Sequence, residues 1–158
     1  MGTQELGLAD GSLWPRSGKR MGFGLLLPMG EGSAFGPNPP GFADLVAMCL
    51  AAEEAGFDIA WFIDHFVFRQ GENDERGIWE CWTMMAAAAA RTERIGIGSL
   101  VACTGFRNAG VIAKMTEAID EISGGRFVLG LGVSHGTPGP RRASTPPRRP
   151  TPPRRTPT

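Results

Sequence analysis

Apolar residues recur along this chain in two alternating rhythms. Short apolar runs occur at MGFGLLLP (21–28), FDIAWFI (57–63), IGIGSLV (95–101) and FVLGLG (127–132). Runs of this length, bounded by Gly, Pro or polar residues, suit strands buried on both faces. Between them the spacing turns helical. Phe42, Leu45, Val46, Cys49 and Ala52 recur one turn apart, and Gly56 stands where a C-terminal glycine cap belongs. Residues 79–91 are alanine-rich, with Trp82, Met85, Ala86 and Ala89 on one face. Asn108 can cap a third helix, whose Val111, Ile112, Met115, Ile119 and Ile122 form an apolar stripe that Gly124 ends.

Strands therefore begin near 22, 57, 95 and 127, with a helix between each pair. Intervals of thirty-odd residues are those of βαβ units, and right-handed crossovers make the sheet parallel. Two closures fit that α/β pattern: an open doubly wound sheet or a (β/α)8 barrel. A barrel needs eight strands and typically about 250 residues. This chain of 158 residues shows four strands.

Charge divides the chain. Six Arg and no acid lie in 138–158, which leaves ten bases against all sixteen acids in 1–137. The formal net charge of zero thus averages a basic tail and an acidic body, and the body offers no nucleic-acid surface. The tail, rich in Pro, Arg and Thr, has no apolar residue larger than alanine to bury and is expected to be disordered, with polyproline II character. Pro147 and Pro150 fit a PxxP ligand. The abrupt change near Gly136, with the α/β pattern incomplete, favours instead a slip of reading frame. Residues 1–20 lack periodicity and read as a flexible leader, without the basic start and apolar core of a signal peptide. The longest wholly apolar run, 84–90, is far short of a membrane span. Cys49, Cys81 and Cys103 are odd in number, widely spaced and flanked by apolar residues, as reduced buried thiols of a cytoplasmic protein would be.

Function in parallel α/β folds sits at the C-terminal ends of strands. That rule selects Leu27-Pro28-Met29, Asp64-His65-Phe66, Ala102-Cys103-Thr104-Gly105 and Val133-Ser134-His135. His65 follows a buried strand directly, with Asp64 before it. It can donate to a bound ring or shuttle a proton near neutral pH, or equally tie down the long charged loop 64–77. His135 lies beside the composition break. Gly130, Gly132 and Gly136 follow a strand, but at the wrong spacing for a dinucleotide loop. The acids of QGENDERG have no companion histidines and suit a solvated flap better than a metal site.

In order, GFGLLLP, EEAGFDIAWFIDHF, WTMMAAAAARTERIGIGSLV and FRNAGVIAKMTEAIDEISGGRFVLGLGV resemble the bacterial luciferase-like monooxygenase family, over about residues 21–135. The resemblance implies a TIM barrel, of which 21–137 holds the first four βα units. It implies the deazaflavin coenzyme F-420, or FMN in related members. Asp64 and His65 would then lie against the cofactor ring, with His65 the catalytic candidate. Cys103 and Thr104 would occupy the place of a non-prolyl cis peptide behind the ring, and Gly132 would let backbone approach it. Chemistry would be hydride transfer at the ring, or dioxygen activation with reduced FMN, acting on a small molecule that the sequence does not specify. A second reading is a non-catalytic half-barrel that self-associates or pairs with a companion chain. A third is a small nucleotide-binding module, which the glycine spacing disfavours.

Overall fold

The computed structural model describes residues 21–32, 36–69 and 75–133. The leader, the Pro/Arg-rich tail and His135 lie outside these residues. The elements run β1 (Gly24–Leu26), α1 (Phe42–Glu54), β2 (Ile59–Phe62), β3 (Phe68–Arg69), β4 (Glu75–Arg76), α2 (Cys81–Ala89), β5 (Gly96–Ser99), β6 (Ala102–Cys103), α3 (Ala109–Ser123), β7 (Phe127–Val128) and β8 (Leu131–Gly132). A parallel sheet of order β1-β2-β5-β7 carries the fold. Neighbours in sequence are thus neighbours in space, as in a barrel wall; a doubly wound sheet would reverse direction.

Register divides the sheet into two unlike faces. Leu25, Leu27, Ala60, Phe62, Ile97 and Phe127 join Leu45, Cys49, Trp82, Met85, Ile112 and Ile119 of the helices in one core. The other face carries Gly24, Ile59, Trp61, Gly96 and Gly98. A Cβ at Gly24 or Gly98 would collide with the Trp61 indole, so these two glycines make room for that ring. Leu26, on the same face, is half exposed.

The helices end as anticipated. The Asn108 side chain accepts from the Gly110 N–H at 2.8 Å, and Gly124 stops α3 at φ 64°. Gly56 follows α1 at φ 81°. The α2 helix starts later than the pattern predicts, because the Glu80 carboxylate caps it by accepting from the Thr83 N–H. The α3 stripe is wider than its buried face: Ile112 and Ile119 are covered, whereas Val111 and Ile122 are half exposed.

The fourth predicted strand is broken in two, and the third stops at Ser99, with a further short strand just past its predicted end. The β6 and β8 segments continue β5 and β7 and pair with each other, Ala102 opposite Leu131 and Cys103 opposite Gly132. The break on one side holds a cis peptide between Leu100 and Val101. At the interruption the Ser99 hydroxyl accepts from the Gly130 N–H at 3.1 Å and donates to the Gly130 carbonyl at 2.9 Å. A side chain thus replaces the missing rung. No helix among the described residues is long and apolar enough to cross a membrane.

Candidate functional site

The C-terminal end of the sheet brings together parts of four segments. Asp64, just beyond β2, is almost wholly buried. Its carboxylate receives both arms of the Arg107 guanidinium, at 2.7 and 3.1 Å, and the Cys103 N–H at 3.0 Å. Arg107 also donates to Glu80 at 2.6 Å. One guanidinium therefore ties the end of β2 to the N-terminus of α2 and to the segment before α3. Such a planar fork is what a paired carboxylate geometry selects.

The electrostatics follow from this crowding. Burial pushes Glu80 upward, but hydrogen bonds from Thr83, Arg107 and Trp82 outweigh it and hold the carboxyl below its ordinary range. Burial opposes the charge of Arg107, and Asp64 and Glu80 more than restore it. The Arg107 guanidinium also lies 5.7 Å from the ring centroids of both Phe66 and Trp82. Phe66 in turn stacks on Phe106, with centroids 4.2 Å apart. Cys81, at the start of α2, has its thiol pushed up by burial and then by Asp64 and Glu80. It packs in the core as a neutral thiol.

The candidates named from sequence occupy different places around this network. His65 is exposed, and its imidazole lies 4.7 Å from the Phe68 ring, tilted by 41°. It is accessible to a ligand on this face. Asp64 is not, because its oxygens are engaged by Arg107 and Cys103. The cis peptide expected at Cys103-Thr104 lies instead at Leu100–Val101, earlier in the same strand. Cys103 is buried and anchors Asp64 through its N–H. Thr104 is exposed and donates from its hydroxyl to the Gly132 carbonyl at 3.2 Å. A Cβ at Gly132 would strike Val101, so close packing against the neighbouring strand already demands glycine there.

Sequence reading missed Arg107, Glu80, Ser99 and Trp61. Arg107 stands in FRNAG, a segment noticed only for its match; a basic residue just before a helix cap gives no sign that its partner is 43 positions away. Most of QGENDERG, residues 70–74, lies outside the described residues, and the chain is paired on either side of that stretch. There β3 pairs antiparallel with β4, and Gly30 bridges Ile78.

Comparison with known proteins agrees with this geometry. The family model described as luciferase-like monooxygenase matches residues 21–156. An F-420-dependent glucose-6-phosphate dehydrogenase of Amycolatopsis mediterranei is 38% identical over 99 residues, covering 62% of this chain and 28% of the relative. A 5,10-methylenetetrahydromethanopterin reductase of Methanolobus tindarius is 36% identical over 81 residues, 51% of this chain and 22% of its own. Among solved structures, the monooxygenase RslO1 of Streptomyces bottropensis superposes with a TM-score of 0.54 at 27% identity, covering 70% of this chain and 32% of that one. The chain thus spans about a quarter of the length of these curated relatives. Its four strands are the first four staves of the (β/α)8 barrel that the structural neighbours carry. The chain belongs to the luciferase-like monooxygenase family.

Proposed function

We propose that this chain contributes the N-terminal half of the active-site face of an oxidoreductase that uses the deazaflavin coenzyme F-420 or FMN. The carrying observation is the exposed His65 beside a rigid Asp64–Arg107 clamp at the C-terminal end of a parallel barrel wall. The F-420 dependence of the relative from Amycolatopsis supports the deazaflavin. His65 fits a donor to the ring or a proton carrier. Asp64 and Cys103 hold the floor behind it, and Thr104 and Gly132 form the neighbouring strand pair. The bound cofactor would supply the redox chemistry, and the protein would position it.

The phosphate site of such barrels usually follows strands seven and eight. The 158-residue chain is therefore expected to bind F-420 or FMN more weakly than micromolar, with His65→Ala weakening it further. Fluorescence titration tests this. If neither chromophore responds at millimolar chain, the ring does not lie on this face; micromolar affinity would show that the clamp for the phosphate is already present.

One observation favours a second reading, that of a half-barrel that pairs with itself. Leu26, Leu131 and Val133 are at least half exposed, and β1 and β7 are the terminal strands of the sheet. Unpaired parallel edges invite strand addition. Light scattering showing a discrete dimer would support it, and a monomer or polydisperse aggregate would oppose it.

A further inference from the structure

The backbone around His65 is fixed from both sides, and its imidazole leans on another ring. Before it, the Asp64 carboxylate is gripped by Arg107 and by the Cys103 N–H. After it, the Phe66 ring stacks on Phe106 at 4.2 Å, with the Arg107 guanidinium at 5.7 Å. The His65 side chain is exposed, and among the described residues it makes no hydrogen bond. Left to itself, such a side chain would visit several staggered wells. The Phe68 ring, 4.7 Å away and tilted by 41°, restricts it.

Phe68 in turn rests on a floor that carries no side chain. A Cβ at Gly30 would stand 3.3 Å from two atoms of the Phe68 ring and 3.4 Å from the Gly77 carbonyl, so any larger residue would push the ring away. Gly30 is itself anchored. It bridges Ile78 in antiparallel fashion, and the Trp79 N–H donates to the Met29 carbonyl at 3.2 Å. The Glu31 N–H donates to the Gly77 carbonyl at 2.9 Å, and the Trp79 indole N–H to the Pro40 carbonyl at 2.8 Å. The segment after β1 and the segment before α2 are thereby laced into one support.

We infer that Phe68 is the positioning residue of the His65 imidazole, and that glycine at position 30 sets where the Phe68 ring stands. A group that must meet a reacting atom gains from being oriented before the ligand arrives. A hydrogen bond from the protein would also orient the imidazole, but it would occupy a ring nitrogen. An aromatic contact orients the ring and leaves both nitrogens open to donate or accept. That His65 acts on a cofactor rests on the oxidoreductase reading; that Phe68 and Gly30 orient it does not.

Imidazole NMR on the 158-residue chain, without cofactor, tests the inference. The chain has two histidines, and His65→Ala identifies the signals of His65 by removing them. The His65 ring protons are expected to show cross-relaxation with the Phe68 ring and to be displaced from the positions of a histidine in a short peptide. Gly30→Ala should move them, and Phe68→Leu should return them toward the peptide positions. Val111→Asn, on the outer face of α3, should leave them in place. If Phe68→Leu fails to fold, Gly30→Ala decides the matter, because it leaves both rings present. Peptide positions in the parent, signals unmoved by Gly30→Ala, or signals moved equally by Val111→Asn overturn the inference. In the F-420 titration, Phe68→Leu should weaken binding no more than His65→Ala does, and should add nothing once His65 is gone. A further loss in the His65→Ala background would show that Phe68 acts on its own account, and overturns it too. Failure of the flavin titration with the NMR result intact breaks only the cofactor reading.

Discussion

The two ends of the parallel sheet each hold buried charge, but they neutralise it differently. At the N-terminal end, Glu53 accepts from the N–H groups of Glu93, Arg94 and Ile95 at 2.7–3.1 Å. Beside it the buried Arg126 donates to the carbonyls of Ser123, Ala89, Thr92 and Ile95 and to the Thr92 hydroxyl. These groups satisfy the loose backbone ends of α2 and α3 and the start of β5. At the C-terminal end, Asp64, Arg107 and Glu80 answer one another through side chains, with apolar residues half exposed around them. Charge spent on backbone holds the fold together. Charge balanced between side chains sets the positions of loops, and this is the end where barrels place chemistry.

The largest effect expected from breaking this contrast is at Arg107. Arg107→Met strands a buried carboxylate and should cost about 3–5 kcal/mol in urea unfolding. Pairing it with Asp64→Asn should recover part of the loss, since the stranded charge is then gone. Arg107→Lys should fall between, because an ammonium cannot form the two-armed contact. A double variant no more stable than Arg107→Met would show that packing on Phe66 and Trp82 dominates.

Next comes Arg126→Met, expected to cost about 3 kcal/mol by leaving buried carbonyls unpaired. It should leave the F-420 and FMN titrations untouched, unlike His65→Ala. If it alters binding at the far end, the two ends are coupled and the division of labour fails.

Glu53→Gln should cost about 2 kcal/mol, within the range for hydrogen bonds to charged groups. It should also flatten the acid response. For Glu53, burial raises the carboxyl, but the three N–H groups and Arg94 bring it below its ordinary value. Glu80 is lowered as well. Each contributes stability that is fully present above the unfolded value, about 4.3, and lost as pH falls through the lower folded value. Tryptophan fluorescence followed below pH 4.5 should show a shallower acid transition in Glu53→Gln than in the parent.

The smallest effect is at the strand break. Thr104→Val removes one exposed hydroxyl donated to Gly132 and should cost at most about 1 kcal/mol. Measured against Arg107→Met, it separates the contribution of the β6–β8 rung from that of the clamp.

Cys49 shows how local pattern and tertiary setting meet. Its place on the apolar stripe of α1 is written in the helical spacing, and the residue is indeed wholly buried. Its thiol, pushed up to about 11 by burial and then by Glu53, owes that property to neighbours the stripe does not name. The same division holds for the site. His65 was singled out for its place after a strand, and the structure sets it exposed, three positions beyond β2. That Asp64 turns inward could not be read, since the decisive donor is contributed by a distant segment. Gly130 and Gly132 invited comparison with a dinucleotide loop. In the structure the Ser99 carbonyl and Val101 occupy the space that side chains there would need.

By itself the sequence determined the alternation of strands and helices, the caps at Asn108 and Gly124, and the core stripes, because these depend on contacts within a few residues. Its ordered motifs also carried the family resemblance. Tertiary structure decided where the third and fourth strands break, which carboxylate is buried and paired, and which backbone carbonyls the buried Arg126 satisfies. Those outcomes depend on partners dozens of positions apart, which only the parallel register of the sheet brings within hydrogen-bonding distance.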